Sequence, residues 1–125
     1  GDTIMSEWKY FEPSELNCKC GECDGEMKPS FMVRLVKLRA FLDFPFPISS
    51  AYRCPDHNAK VGGSKGSYHM KGRAVDIAVT HDQAWQIVAA AKKFGFYGVG
   101  VSQKGGARFI HLDNRQQSKM TLFSY

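Results

Sequence analysis

The pattern of hydrophobic and polar positions along the chain predicts two helices. The first follows Ser30, which is placed to cap it, and stops before Pro45 because proline cannot continue a helix. Its hydrophobic positions recur at helical spacing and are Phe31, Leu35, Leu38 and Leu42. The second helix is capped by Thr80 or Asp82 and ends at Gly95.

Five short runs of alternating, β-branched or aromatic residues predict strands. They are "PISSAYR" (47–53), "RAVDIAV" (73–79), "GVGVS" (98–102), "RFIHLD" (108–113) and "MTLFSY" (120–125). The third and fourth runs, joined through Gly105 and Gly106, predict a β-hairpin. Residues 55–67 are rich in turn formers and predict a loop. Because no regular βαβ alternation is present, the pattern predicts an α+β fold with a small antiparallel sheet and two main helices.

Length and composition predict one domain over residues 1–125. A chain of 125 residues that is 43% hydrophobic can bury one core but is too short for two ordinary ones. Residues 1–29 lack sustained periodicity, so we expect an irregular segment packed on the domain, with a short helical turn at "EPSEL". The longest apolar runs are far shorter than the ~20 residues of a membrane-spanning helix, so we expect no membrane insertion. We also expect a monomer.

The charge of the chain favours anionic partners but selects none of them. The net charge is +5, which suits nucleic acid, phospholipid or an acidic cell wall. The lysines and arginines are scattered, with no continuous basic arm and no nucleic-acid reading motif. We therefore interpret them as a solvated surface and predict no nucleic-acid partner, leaving a basic nucleic-acid binder as a remote rival.

The chain has four cysteines, which are Cys18, Cys20, Cys23 and Cys54. Four thiols can form a tetrahedral structural zinc site, but such sites usually use two Cys-x-x-Cys pairs, and the spacing here fits that pattern poorly. Disulfides in an exported protein, or free thiols in a reducing compartment, fit better. We predict no metal at these cysteines and leave their pairing open.

His69, Asp76 and His111 are residues of the kind that a catalytic zinc site uses, with a fourth position left for water. A charged aspartate inside an apolar strand needs a partner, and the sheet can bring a later strand beside it. His111 and Asp113 lie on one face of that later strand because they are two residues apart. The alternative is that the histidines are surface or satisfied core residues and that Asp76 is hydrogen-bonded at a strand end.

The chain resembles the zinc D-alanyl-D-alanine peptidases of the M15 class, in their branch of small phage and bacterial cell-wall peptidases. The resemblance lies in "ISSAYRCPDHNAKVGGSKGSYHMKGRAVDIAV" and "GVGVSQKGGARFIHLDNR", and more weakly from "FEPSELNCKCGEC" through the first helix. It implies the fold shared with the hedgehog signalling domain. It also implies a Zn²⁺ cofactor held by His69, Asp76 and His111.

The same resemblance implies further site residues. Arg53 corresponds to an arginine that steadies the substrate carbonyl or the developing oxyanion, and Ser67 to a residue that contacts the terminal carboxylate of the substrate. The general base is where the chain departs from the family, because Arg108 stands three positions before the last histidine, where many members have an acid. Asp113 is the remaining candidate for the base, and its alternatives are a partner that orients His111 or another ligand.

These features predict zinc-dependent hydrolysis of peptide bonds in the stem peptides of peptidoglycan, by a D,D-carboxypeptidase or an endopeptidase. The protein would act at the bacterial cell wall, exported or released by a phage. The alternative is a non-catalytic, zinc-containing, cell-wall-binding domain of the same fold. The sequence leaves open which peptide bond is cut and from which organism or phage the chain comes.

Overall fold

The computed structural model describes residues 8–23 and 25–125 and confirms the α+β class. Its helices are α1 (Pro13–Leu16), α2 (Pro29–Leu42), α3 (Pro55–Lys60) and α4 (His81–Ala91). Its strands are β1 (Ile48–Ser50), β2 (Ala74–Ile77), β3 (Gly98–Ser102), β4 (Phe109–Asp113) and β5 (Thr121–Ser124). The strands form one sheet in the order β1-β2-β4-β3-β5. None of the helices in the described ranges is long and apolar enough to cross a membrane.

The sheet is mixed, whereas the sequence predicted an antiparallel one. Strands β1, β2, β4 and β3 pair antiparallel with their neighbours, and the predicted β3–β4 hairpin is confirmed. Strand β5 pairs parallel with β3, with Thr121 beside Gly98. A short strand shows the same alternation of side chains whether its neighbour runs parallel or antiparallel to it, so the sequence of β5 does not reveal its direction. The path of the chain between β4 and β5 sets this direction.

The two predicted helices are present as α2 and α4, with changes at their starts. Helix α2 begins at Pro29 and is flanked by Lys28, so Ser30 is not its cap. Proline suits this first helical position because the amide hydrogen that it lacks would have no partner there. Thr80 flanks the start of α4, although its side chain makes no capping hydrogen bond. A 3₁₀ turn over Lys92–Phe94 extends α4 to Gly95, whose φ of 83° ends it.

The predicted loop over residues 55–67 contains a short helix, α3, which the prediction missed. We predicted a loop here because Pro55 and Asp56 are turn formers, yet proline is also favoured at the first position of a helix. Cys54 caps α3, since its Sγ accepts a hydrogen bond from the amide of His57 at 3.4 Å. The loop resumes after Lys60 and leads into a 3₁₀ turn over Tyr68–Lys71.

The core lies between one face of the sheet and helices α2 and α4. It includes Val75 and Ile77 of β2, Ile110 and Leu112 of β4, and Phe31, Leu35, Leu38 and Ile87 of the helices. The segment before α2 adds the buried side chains of Phe11, Leu16 and Met27. Since alternate strand residues point to opposite faces, Asp76, His111 and Asp113 are directed to the other face.

Replacing Leu35 by alanine tests the position of the core. Leu35 is fully buried on α2, so we expect Leu35→Ala to lower the free energy of unfolding by about 2–5 kcal/mol through lost burial and a residual cavity. Val33→Ala, on the exposed side of the same helix, is the control and should change it by no more than about 0.5 kcal/mol. Denaturant unfolding measures both, and equal effects would contradict this arrangement of α2.

Candidate metal centre and cleft

The pairing of β2 with β4 brings two of the predicted metal ligands together. Asp76 and His111 are direct register partners in this antiparallel pair. His69 arrives from the 3₁₀ turn over Tyr68–Lys71, which precedes β2. One ligand atom from each of these three residues lies within 4.8 Å of the others, and all three residues are buried. The structure therefore assembles the group that the sequence singled out.

His69 is held by two contacts that leave one ring nitrogen free for a ligand. Its Nδ1 lies 2.7 Å from the carbonyl oxygen of Ala51. A carbonyl oxygen only accepts, so Nδ1 carries the hydrogen and Nε2 of the neutral ring has a lone pair. The amide of His69 also donates to Oγ of Ser67 at 3.2 Å, which fixes the start of the turn.

His111 has the same arrangement with its nitrogens exchanged. Its Nε2 lies 2.7 Å from Oδ2 of Asp113, so Nε2–H donates to the carboxylate, and in the neutral ring Nδ1 has a lone pair. Arg115 binds the same carboxylate, with Nη2 2.7 Å from Oδ2 and Nε 2.8 Å from Oδ1. The amide of Arg115 donates to Oδ1 as well, at 3.1 Å. Asp113 is thus fully bonded, and its side chain is 0% exposed.

The free nitrogens of both rings converge on one oxygen of Asp76. Oδ1 lies 3.2 Å from His69 Nε2 and 3.1 Å from His111 Nδ1. In a tetrahedral zinc site with ligand bonds of about 2.0–2.1 Å, neighbouring ligand atoms are about 3.4 Å apart. When the rings are neutral, both ring nitrogens and the carboxylate oxygen are acceptors, and no hydrogen lies between them to form a bond. A cation bound between these atoms would interact favourably with all three, so the donor set fits zinc.

Both carboxylates of this cluster carry negative charge at neutral pH. Burial by itself would raise the pKa of Asp76, but its interactions with His111 and His69 outweigh burial and lower the pKa to about 2. Burial likewise opposes ionisation of Asp113, yet Arg115 and His111 together hold its pKa below the ordinary value. Arg115 balances the charge of Asp113. The charge of Asp76 is left for the histidines or for a metal to balance.

Two glycines of β3 make room for the cluster. Gly98 pairs with Asp113, and a Cβ at Gly98 would overlap the Asp113 carboxylate. Gly100 pairs with His111, and a Cβ there would overlap the ring of Phe123 on β5. The alternation in "GVGVS" therefore places small residues on the face of the site, while Val99 packs in the core.

A cleft of about 1020 Å³ opens over the cluster. Its cationic lining residues are Lys19, Arg53, Arg108 and Arg115. Aromatic side chains of β5 and the residue after it form part of its wall, with the ring of Phe123 5.4 Å from that of His111 and Tyr125 next to Phe123. In the described part of the chain, Asp76 and Asp113 are the carboxylates that line it.

Arg53 and Ser67, which the resemblance implied as substrate-binding residues, both line this cleft. The backbone amide of Arg53 donates to the carbonyl of His69 at 3.1 Å, so the loop after β1 is bonded to the turn that carries His69. Nε of Arg53 is buried and has no hydrogen-bond partner among the described residues. A buried guanidinium nitrogen without an acceptor is costly, so it is suited to a ligand that supplies one.

The sequence missed three contributors to the site. The carbonyl of Ala51 orients the ring of His69, and the side chain of Arg115 holds Asp113, which in turn contacts His111. The ring of Phe123 packs against that of His111. Arg115 follows "FIHLD" by two residues, which is the available signal for it. Arg108 lies in the β3–β4 loop, where its Nε donates to the carbonyl of Gly105 at 3.0 Å.

One of the comparisons with known proteins finds a family for this chain. A family model described as Peptidase M15 matches residues 9–113, which include His69, Asp76 and His111. Arg115 and strand β5 lie beyond the matched residues. A search of curated proteins finds no match to the chain. Since the family model covers most of the chain, the chain belongs to the Peptidase M15 family.

Proposed function

We propose that the protein is a zinc-dependent peptidase that hydrolyses peptide bonds in the stem peptides of peptidoglycan, as a D,D-carboxypeptidase or an endopeptidase. The observation that carries this proposal is the convergence of His69 Nε2 and His111 Nδ1 on Asp76 Oδ1 at the floor of an open cleft. Family membership supports a peptidase. The protein would act at the bacterial cell wall.

The chain supplies three functions to such a reaction. His69, Asp76 and His111 would hold the metal, and zinc bound there supplies Lewis-acid activation of a water molecule and of the scissile carbonyl. Arg53 offers the unpaired Nε–H to the oxygen on which negative charge develops. Ser67 Oγ already accepts a hydrogen bond from the amide of His69, so its own hydrogen is free to donate to a substrate carboxylate.

The charge of the cleft supports a substrate that carries a carboxylate. Its two carboxylates are bound within the cluster or to Arg115, whereas Lys19, Arg53 and Arg108 face the cleft as cations. Stem peptides end in a free carboxylate and contain few cationic groups. Attraction between this end and the cations would orient the peptide with its last bonds near the metal-binding cluster.

We infer that Asp113 orients His111 and is not the general base. Both of its oxygens accept hydrogen bonds from Arg115, and Oδ2 also accepts from His111. Arg115 and His111 also keep its pKa low, which makes it a weak proton acceptor. A carboxylate that receives the outer N–H of a ligating histidine is a common arrangement in zinc sites, where it fixes the tautomer and the ring.

The second candidate function is a non-catalytic, zinc-containing domain that binds the cell wall. The observation that favours it is that Asp113 is fully bonded while Arg108 occupies the position where many members have an acid. Such a domain would bind peptidoglycan and zinc without releasing amines. Incubation of the zinc-loaded protein with purified peptidoglycan, followed by a count of newly freed amines, separates the two functions.

Removing a metal ligand tests the proposed function directly. We expect His69→Ala to lower bound zinc by one equivalent per chain and to abolish turnover of defined stem peptides, because two remaining ligands hold the metal too weakly. A chelator should abolish turnover of the unaltered protein in the same way. His81→Asn, at the exposed start of α4, is the matched control and should keep both properties. Undiminished zinc in His69→Ala would contradict the assigned site.

Arg53→Ala tests the guanidinium in the cleft. We expect kcat to fall about 100-fold or more, the usual cost of losing one donor to a developing oxyanion, with zinc content unchanged. Lys37→Ala makes the same change of charge on the exposed side of α2 and should leave kcat as it is. If Arg53→Ala raised KM alone, Arg53 would bind the ground state of the substrate and give no added stabilisation to the transition state.

Asp113→Asn separates orientation from base catalysis. An orienting role predicts that zinc affinity falls about 10–100-fold, because the asparagine loses the charge that holds the His111 tautomer. A base would leave zinc affinity intact while turnover fell at saturating zinc. Titration with a zinc chelator of known affinity measures the first effect and stem-peptide hydrolysis the second. Asp82→Asn, on the exposed surface of α4, is the control.

A further inference from the structure

The four cysteines come together as a group separate from His69, Asp76 and His111, and their chain neighbours Lys19 and Arg53 line the cleft. Cys18, Cys20 and Cys23 lie on one tight turn, where Gly21 adopts a φ of 73°. Cys54 reaches them from the start of α3, directly after Arg53. All four are free thiols, and their sulfurs lie within 4.8 Å of one another. The spacing of the four cysteines in the sequence predicted no metal here because Cys54 is distant from the other three, whereas the fold brings Cys54 beside them.

Two of the distances between these sulfurs match those of a tetrahedral thiolate site. Sγ of Cys54 lies 3.7 Å from Sγ of Cys18 and 3.8 Å from Sγ of Cys20. With zinc–sulfur bonds of about 2.3 Å, tetrahedral geometry puts neighbouring sulfurs about 3.8 Å apart. Four sulfurs gathered around one point can be held by a single ion, whereas disulfides would join them only in pairs at about 2.05 Å.

Backbone amides are directed at three of the four sulfurs. The amide of Cys54 donates to Sγ of Cys18 at 3.3 Å, that of Glu22 to Sγ of Cys20 at 3.4 Å, and that of His57 to Sγ of Cys54 at 3.4 Å. Hydrogen bonds from N–H groups stabilise sulfur in its anionic form, which is the form that binds metal. These donors therefore favour thiolates at this position.

We propose that Cys18, Cys20, Cys23 and Cys54 bind a structural zinc ion, separate from the metal of the His69–Asp76–His111 cluster. Four protein ligands leave no open position, so this ion would be structural. Binding converts the four thiols to thiolates and releases their protons to solvent. The ion would fasten the turn over residues 18–23 to the start of α3, and so hold the neighbouring Arg53 at the edge of the cleft.

Zinc content in a variant that lacks the first site tests the proposal. His69→Ala, purified under reducing conditions, should retain one zinc per chain by elemental analysis. Adding Cys23→Ser should remove that zinc, whereas adding Cys23→His should keep it, because three cysteines and one histidine form an established zinc site. Cys23 is exposed, so neither change disturbs the core. Cobalt(II) added to metal-free His69→Ala should give the thiolate-to-metal charge-transfer absorption of a tetrahedral sulfur site.

The possible results separate this proposal from the proposed function. A His69→Ala chain without zinc, and without sulfur-to-cobalt absorption when its thiols are reduced, overturns the cysteine site and leaves the peptidase proposal intact. Cysteines that resist reaction with a thiol reagent only while zinc is present support the site. Cysteines that become reactive only after a reductant is added are disulfides and overturn it. Loss of turnover in His69→Ala with one zinc retained supports both.

Discussion

The antiparallel pairing of β2 with β4 is the constraint on which the site depends. It sets Asp76 opposite His111, and a shift of one residue would turn one of these side chains into the core. The register is secured by the other face of the same strands, where Val75 and Leu112 are register partners in the core. Burial of apolar side chains on one face thus fixes the positions of polar side chains on the other.

On that polar face, the outward contacts of His69, His111 and Asp113 are all satisfied, whereas the atoms that face one another inside the cluster are not. Ala51 accepts from His69, and Asp113 accepts from His111 while Arg115 balances its charge. The remaining oxygen and the two ring nitrogens face one another, and in a buried site such a set of acceptors requires a cation or protons. The contacts of the histidines with Ala51 and Asp113 therefore do more than stabilise the fold, because they decide which nitrogen of each ring has a lone pair directed at Asp76.

The edges of the cleft come from distant parts of the chain. Strand β5 follows the segment matched by the family model and covers His111 with Phe123. On the other side, α3 and the cysteine turn meet next to Arg53. The floor of the cleft, with Asp76 and His111, thus comes from the central strands, whereas its walls come from segments at the edges of the sheet.

Local sequence patterns were enough to predict the α+β class, both main helices and the β3–β4 hairpin, because these follow from short-range periodicity. A charged residue inside an apolar strand, together with the family resemblance, singled out His69, Asp76 and His111 as candidate ligands. The sequence by itself could not determine that β5 lies parallel to β3, that Arg115 binds Asp113, or that Cys54 joins the cysteine turn. Each of those depends on segments that are brought together only when the core closes, and residue spacing carries no information about such distances. For the same reason the residues alone left Asp113 with several roles, and only its contacts in the folded chain favour one of them.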